Sequence, residues 1–256
     1  MNYPKSDRTV PLNVQAAIKF AGKTGFISRH LWDTYFNSGC NTWKIRQFGK
    51  LLEKDIFKTY LQIGKNKFYR LGPNGHALSR KLSVKPVIAP LNNQIHHDCW
   101  IYETVLSLDK AFYIYDWLSE AELKTGASFQ DEDLQIGSKI PDAILKMNVK
   151  GDLRNIAFEY ERTLKAVWRI KEGLRAYSTN VQFPLVIIIC EDEVILKSYL
   201  NVLKRMNDTN LSKKIGLTLI GDWHISPEMQ PIQMIERTFC LKNILLTTNK
   251  TEYAGV

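Results

Sequence analysis

Residues 140–163 read IPDAILKMNVKGDLRNIAFEYERT, and the fold of the second half of the chain follows from how this stretch is parsed. Ile140 to Asn148 and Asn155 to Arg162 are rich in apolar and β-branched residues and predict two strands. Val149-Lys150-Gly151-Asp152 between them predicts a tight turn. If its midpoint lies between Lys150 and Gly151, antiparallel pairing sets Asp142 opposite Glu159. Successive strand residues face opposite sides, so Glu159 and Glu161 share one face while Phe158 and Tyr160 share the other. Three carboxylates are thereby expected to converge. Like charges at that spacing repel by roughly a few kcal/mol at a surface-like dielectric, so a counter-cation is expected among them. Hard oxygen donors suit Mg²⁺ or Mn²⁺ better than zinc, and such a metal can polarise a phosphodiester, help generate a hydroxide and stabilise the leaving oxygen. The same glutamates also read as the solvated face of an edge strand, and spacing alone does not separate the two.

Outward from this stretch the pattern stays regular. Ile95 to Lys110 predicts a helix with Ile95, Cys99, Tyr102 and Leu106 inward and Glu103 at the edge of that face. Phe112 to Leu118 predicts a strand, Thr163 to Tyr177 a helix, Pro184 to Cys190 a buried strand, Glu193 to Met206 a helix and Gly216 to Gly221 a further strand. The order α-β-β-β-α-β-α-β implies an α/β fold with a mixed sheet flanked by helices. Arg162, Lys165 and Arg169 recur at helical spacing, either as a basic stripe facing phosphate or as an ordinary solvated face.

Charge divides the chain. Residues 1–90 hold 16 Lys or Arg against 4 Asp or Glu, a net +12, whereas the remainder holds 19 against 22, a net −3. Such asymmetry points the N-terminal third at a polyanion, because cations that neutralise phosphates release condensed counterions. Asn13 to Ala21 and Ser28 to Phe36 predict two helices, and a third runs over Asn41 to Lys54. In that third helix Ile45, Phe48 and Leu52 are expected inward, leaving Trp43, Arg46, Gln47 and Lys50 outward, with Lys44 beside them, as candidate DNA contacts. Ile56 to Leu61 and Phe68 to Leu71 then predict a hairpin whose connection carries Lys65 and Lys67. Three helices and a basic hairpin are the layout of a winged helix-turn-helix, a module that also serves in protein docking. Leu82 to Gln94, with Pro86, Pro90 and paired asparagines, predicts a linker. The expected organisation is a winged-helix domain over 1–81, a linker over 82–94 and a catalytic-type domain over 95–256.

Ile140-Pro141-Asp142-Ala143, then Phe158-Glu159-Tyr160-Glu161-Arg162-Thr163 and a Lys-bearing helix, resemble the PD-(D/E)xK nuclease motif in its E-x-E variant. The restriction-endonuclease-like core of that group has the order α-β-β-β-α-β. With Trp117-Leu118-Ser119-Glu120 and the preceding winged helix, the chain more narrowly resembles the replication-relaxation family of plasmid proteins, including MobC-type mobilisation relaxases, from about Val14 to Ile220. The resemblance implies that Asp142 and Glu159 are metal ligands. Glu161 stands where the usual motif has lysine, so either Glu161 serves in the site or Lys165 replaces the missing ammonium. Glu103 or Glu120 would complete the metal shell, below the central trio.

Other chemistries are less well supported. His96-His97-Asp98-Cys99 holds zinc-binding residue types, but neighbours on a helix diverge and no second cluster supplies the remaining ligands. No GxxxxGK[ST], GxSxG or GxGxxG sequence is present, nor the histidine cluster of tyrosine relaxases. Cys40, Cys99, Cys190 and Cys240 form no CxxC pair and are expected reduced. Met1 to Val10 is too polar for a secretory signal and no apolar run suits a membrane span, so a cytoplasmic location is expected. The expectation is a Mg²⁺- or Mn²⁺-dependent endonuclease or nickase acting on double-stranded DNA, with a plasmid origin, accessory mobilisation or replication proteins and a second copy of the chain as candidate partners. The alternatives are a non-catalytic DNA-binding replication or mobilisation protein with an inactive nuclease-like domain, and a transcriptional regulator whose C-terminal domain senses a ligand. Carboxylates that point apart, or that each hold their own lysine or arginine, would favour the non-catalytic reading.

Overall fold

The computed structural model describes residues 10–111, 113–129, 134, 137–221, 223 and 225–246. Met1 to Thr9 and Phe112, where a strand was expected to begin, lie outside the described residues. The chain divides into two compact units that meet between Pro90 and Leu91.

The first unit opens with α1 (Leu12–Thr24), stopped by Gly25 in a left-handed conformation, φ +83°. β1 (Ile27–Ser28) follows, and the Ser28 hydroxyl caps α2 (Arg29–Leu31) by accepting the Leu31 amide. The single helix expected over Ser28 to Phe36 is therefore broken: α2 runs straight into a π-helical turn, Trp32–Phe36. Ser28 is used twice, as the end of a strand and as a cap. After α3 (Asn41–Glu53) come β2 (Phe57–Ile63), β3 (Asn66–Leu71) and α4 (Pro73–Lys81). The strands form an antiparallel sheet in the order β1-β3-β2. An aromatic core binds helix to sheet: Phe48 stacks on Phe57 at 5.8 Å, meets Tyr69 edge-on at 4.7 Å and packs on Trp32 at 5.6 Å. The expected linker is partly absorbed into this unit. The Val87 amide donates to the Gly22 carbonyl at 2.9 Å and the Tyr60 hydroxyl to the Pro90 carbonyl at 2.8 Å, so the stretch up to Pro90 lies against α1 and β2.

The second unit is a mixed α/β layer structure. α5 (Ile95–Lys110) leads to β4 (Ile114–Ser119) and α6 (Glu120–Leu123). β5 (Ala143–Val149) and β6 (Asp152–Glu161) form a hairpin, followed by α7 (Val167–Ser178), β7 (Leu185–Cys190), α8 (Glu193–Met206), α9 (Thr209–Lys214), β8 (Ile215–Leu219), β9 (Pro231–Gln233) and β10 (Thr238–Cys240). The sheet runs β10-β9-β8-β7-β6-β5-β4, antiparallel through β4-β5-β6 and parallel through β6-β7-β8.

The hairpin is the decisive element. Lys150 and Gly151 have φ of +55° and +103°, the pair of positive values a two-residue type I′ loop needs. Asn148 Oδ1 accepts the Gly151 amide at 2.9 Å and steadies the turn. The register pairs Val149 with Asp152 and Ala143 with Phe158, the pairing expected from the turn midpoint. Both faces of β7 are buried, as parallel strands under helices require. Two boundaries differ from expectation. Ile140 to Asp142 precede β5 rather than belonging to it, and residues 163–166 are not helical, so α7 begins only at Val167. Among the described residues, no helix is long and apolar enough to cross a membrane.

Candidate active site and nucleic-acid interface

Buried charge gathers at the end of β6. Asp142 lies beside it, its Oδ2 accepting the Tyr160 amide at 2.8 Å and so continuing the β5–β6 ladder. Glu159 and Glu161 lie on the face covered by α7 and α8, with side chains only 6% and 3% exposed. Charges that deep are stable only when partnered. Each has its own set of partners. Lys139 Nζ sits 2.9 Å from Glu159 Oε1, and the Tyr177 hydroxyl from α7 donates to the same oxygen. Lys165 Nζ sits 2.7 Å from Glu161 Oε1, and Tyr199 of α8 hydrogen-bonds the same carboxylate. Asp142 faces His97 of α5 at 3.3 Å, and His97 Nε2 also donates to the Tyr160 carbonyl at 2.9 Å while Nδ1 meets Asp98 at 3.2 Å.

Electrostatics mark the same cluster. Burial raises the Glu159 carboxyl, the Asp142 charge raises it further, and Lys139 and Tyr177 only partly oppose them, leaving it at about 7. Burial works against a charged His97, but its bonds to Asp142 and Asp98 and their charges outweigh that and lift it to about 11. Lys139 behaves alike: burial opposes its charge, and Glu159 more than restores it. Perturbed groups gathered at the carboxyl ends of parallel strands, where β6 and β7 finish, are the usual signature of a working site in such sheets.

Carboxylate oxygens are the donors a hard divalent cation takes, but here Glu159 is answered by Lys139 and Tyr177, and Asp142 by His97. The expected open cage is corrected. Asp142 turns toward α5 while Glu159 and Glu161 turn toward α7 and α8, and among the described residues no group of three or more His, Cys, Asp or Glu side chains is arranged to hold a metal ion. Glu120 does not complete a shell: its amide donates to the Asp142 carbonyl at 2.9 Å, but its carboxylate pairs with Lys124 at 2.8 Å. Glu103 lies one turn beyond Cys99 on α5, where its charge, after burial and Asp98, raises that thiol. In the Trp117-Leu118-Ser119-Glu120 segment, Ser119 caps α6 in a capping box with Glu122, a structural task.

The basic stripe also changes character. With α7 starting at Val167, Arg162 and Lys165 precede the helix and only Arg169 belongs to it. Lys165 is committed to Glu161, whereas Arg162 and Arg169 are exposed. Lys139, His97 and the tyrosines 177 and 199 were missed by sequence reasoning. Lys139 stands three residues before Asp142, and the motif asks for its lysine after the glutamate; His97 drew notice only as a zinc ligand.

In the first unit, α3 is rotated from its expected setting. Phe48 and Leu51 are buried, while Ile45 is 61% exposed and joins Trp43, Arg46 and Lys50 on the outer face. Gln47 is half-buried, and Lys44 turns inward, its Nζ donating to the Asp33 carbonyl at 2.5 Å. Lys65 lies in the hairpin turn and Lys67 in β3 just after it, and with Arg29 and His30 they line a cleft of about 400 Å³ beside Asp33 and Tyr69.

The chain matches no family model, no curated protein and no solved structure. The site therefore rests on its own geometry and chemistry.

Proposed function

We propose that this chain is a DNA-binding protein whose second unit hydrolyses a DNA phosphodiester with the help of a divalent cation. The observation that carries the reading is the gathering of Asp142, Glu159 and Lys139 beside the end of β6: Lys139 pairs with Glu159 at 2.9 Å, the Asp142 charge raises the Glu159 carboxyl, and Lys139 supplies the ammonium that Glu161 displaces from the motif. The finer architecture we assign on this basis is a winged helix followed by a restriction-endonuclease-like domain. Its resemblance to replication-relaxation proteins supports a setting in plasmid mobilisation or replication.

Asp142 and Glu159 would hold Mg²⁺ or Mn²⁺, with Glu161 beside them, only if His97 and Lys139 gave up these carboxylates, since the described residues form no ready cage. The cation, when bound, would supply Lewis-acid polarisation of the phosphodiester and offset charge on the leaving oxygen. Lys139, which Glu159 keeps cationic against its burial, would set an ammonium beside the phosphodiester. His97, bonded to Asp98 and the Tyr160 carbonyl, fixes the position of Asp142 from the opposite face. In the first unit, Arg46 and Lys50 would meet base edges and phosphate, and Lys65 and Lys67 the backbone.

Pairwise neutralisation favours a second reading, in which the second unit is a non-catalytic scaffold and the first docks it on DNA. One assay separates them. Supercoiled plasmid, with and without the DNA that flanks the protein's own coding sequence, is incubated with the protein and Mg²⁺ or Mn²⁺, alongside Asp142→Ala. Metal-dependent nicking that the substitution abolishes supports hydrolysis; duplex binding with no nicking under either metal refutes it and leaves the scaffold.

A further inference from the structure

A groove of about 950 Å³ runs along α7, lined by Trp168, Glu172, Arg175, Thr179, Asn180 and Gln182 among others. It neighbours the carboxylate cluster along the chain. Gly137 and Ser138, which also line it, lead directly into Lys139, and α7 carries Trp168, Glu172 and Arg175 of the groove as well as Tyr177, whose ring lies 5.2 Å from Lys139 Nζ. Trp168 is 62% exposed, an unusual setting for the largest apolar side chain, and the Arg169 guanidinium lies 5.3 Å from its ring centroid. Arg169, Lys171 and Arg175 make the helix basic, with Glu172 as the one acid in its sequence.

We infer that this groove seats an unpaired base of the DNA strand that passes the carboxylate site, stacked on Trp168. The inference rests on the second unit acting on DNA. Every base offers a π-face to an indole, and flanking guanidinium groups attract the adjoining phosphates. Glu172 decides which part of a nucleotide enters. A carboxylate repels phosphate but accepts hydrogen bonds from base N–H groups, as the Asn180 amide oxygen also can, so the base edge points to Glu172 while Arg175 and Arg169 attract the adjoining phosphates. A base paired in a duplex has its edge engaged and its faces stacked. The groove therefore selects single-stranded or locally melted DNA.

The test uses the full chain and anisotropy of a labelled mixed-sequence single strand of about 12 nucleotides, at about 0.15 M salt, against the duplex of the same sequence. Trp168→Ala should weaken single-strand binding by about 5- to 100-fold and duplex binding by less than about 2-fold. Trp168→Phe, which retains a stacking face, should recover most of the loss and shows that the effect is not misfolding. Equal single-strand affinity in Trp168→Ala and the parent overturns the inference, as does an equal loss on duplex and single strand, or a Phe variant as weak as the Ala variant. These readouts are independent of hydrolysis. Absence of metal-dependent nicking removes the proposed catalysis while a Trp168-dependent single-strand preference stands.

Discussion

Glu159 binds a proton more readily when folded than when unfolded, because burial and Asp142 hold its carboxyl at about 7 instead of 4.5. A group raised in this way stabilises the fold fully below its unfolded value and loses that contribution as pH climbs through the folded one. Urea stability should therefore fall between pH 5 and pH 8 by something on the order of 2 kcal/mol from this group, and Glu159→Gln should flatten that decline. A parallel decline in the variant would reject the assignment. His97 carries the same sign over a higher window, from its ordinary 6.5 to about 11. In NMR its imidazole should remain protonated at pH 8, and Asp142→Asn should return its titration toward the ordinary imidazole range. Lys139 illustrates what residue-by-residue reading cannot reach. Three positions before an aspartate it has no motif to announce it, and only the folded path of the chain sets its ammonium on a glutamate of the next strand.

At the scale of elements, the β5–β6 hairpin was legible because its turn chemistry and its strand alternation agree. Lys150-Gly151 accepts two positive φ values, and a one-residue slip would turn Glu159 and Glu161 to the opposite face. Gly151→Val, with a β-branched side chain at φ +103°, should cost about 1–3 kcal/mol in denaturant midpoint analysis. A neutral result would mean that the turn does not hold the register. The setting of α3 was less legible. By spacing Phe48 points inward either with Ile45 and Leu52 or with Leu51; the aromatic cluster holds Phe48, and Leu51 rather than Ile45 is buried with it. Its rotation leaves Trp43, Ile45, Arg46 and Lys50 outside. Arg46→Ala and Lys50→Ala should each weaken duplex binding, Lys50→Ala with a drop of about one in the salt-dependence slope if it meets phosphate. An unchanged slope and affinity in both variants would remove α3 from the interface. The start of α7 was misplaced because nothing at residues 163–166 breaks a helix; the Lys165–Glu161 pair, formed ahead of the helix, takes its place.

Across the whole molecule, charge is partitioned by unit: residues 1–90 carry 16 basic and 4 acidic residues, the rest 19 and 22. Affinity for random duplex DNA should accordingly fall steeply between about 0.05 and 0.2 M salt, and substituting Lys65 and Lys67 together should reduce that dependence more than substituting Arg205 and Lys213 in the second unit. Equal effects would show that the first unit has no privileged contact. The sequence alone determined the main succession of strands and helices, though not β1, α4, α6, α9, β9 or β10, and it determined the hairpin register and this division of charge, since each depends on residues adjacent in the chain: a turn, an alternation, a local count. Tertiary structure decided which cation answers which carboxylate, which face of α3 is outside and where the stretch before Pro90 lies. Those outcomes depend on groups tens of residues apart competing for the same few oxygens and the same aromatic core, and no local pattern records the result of that competition.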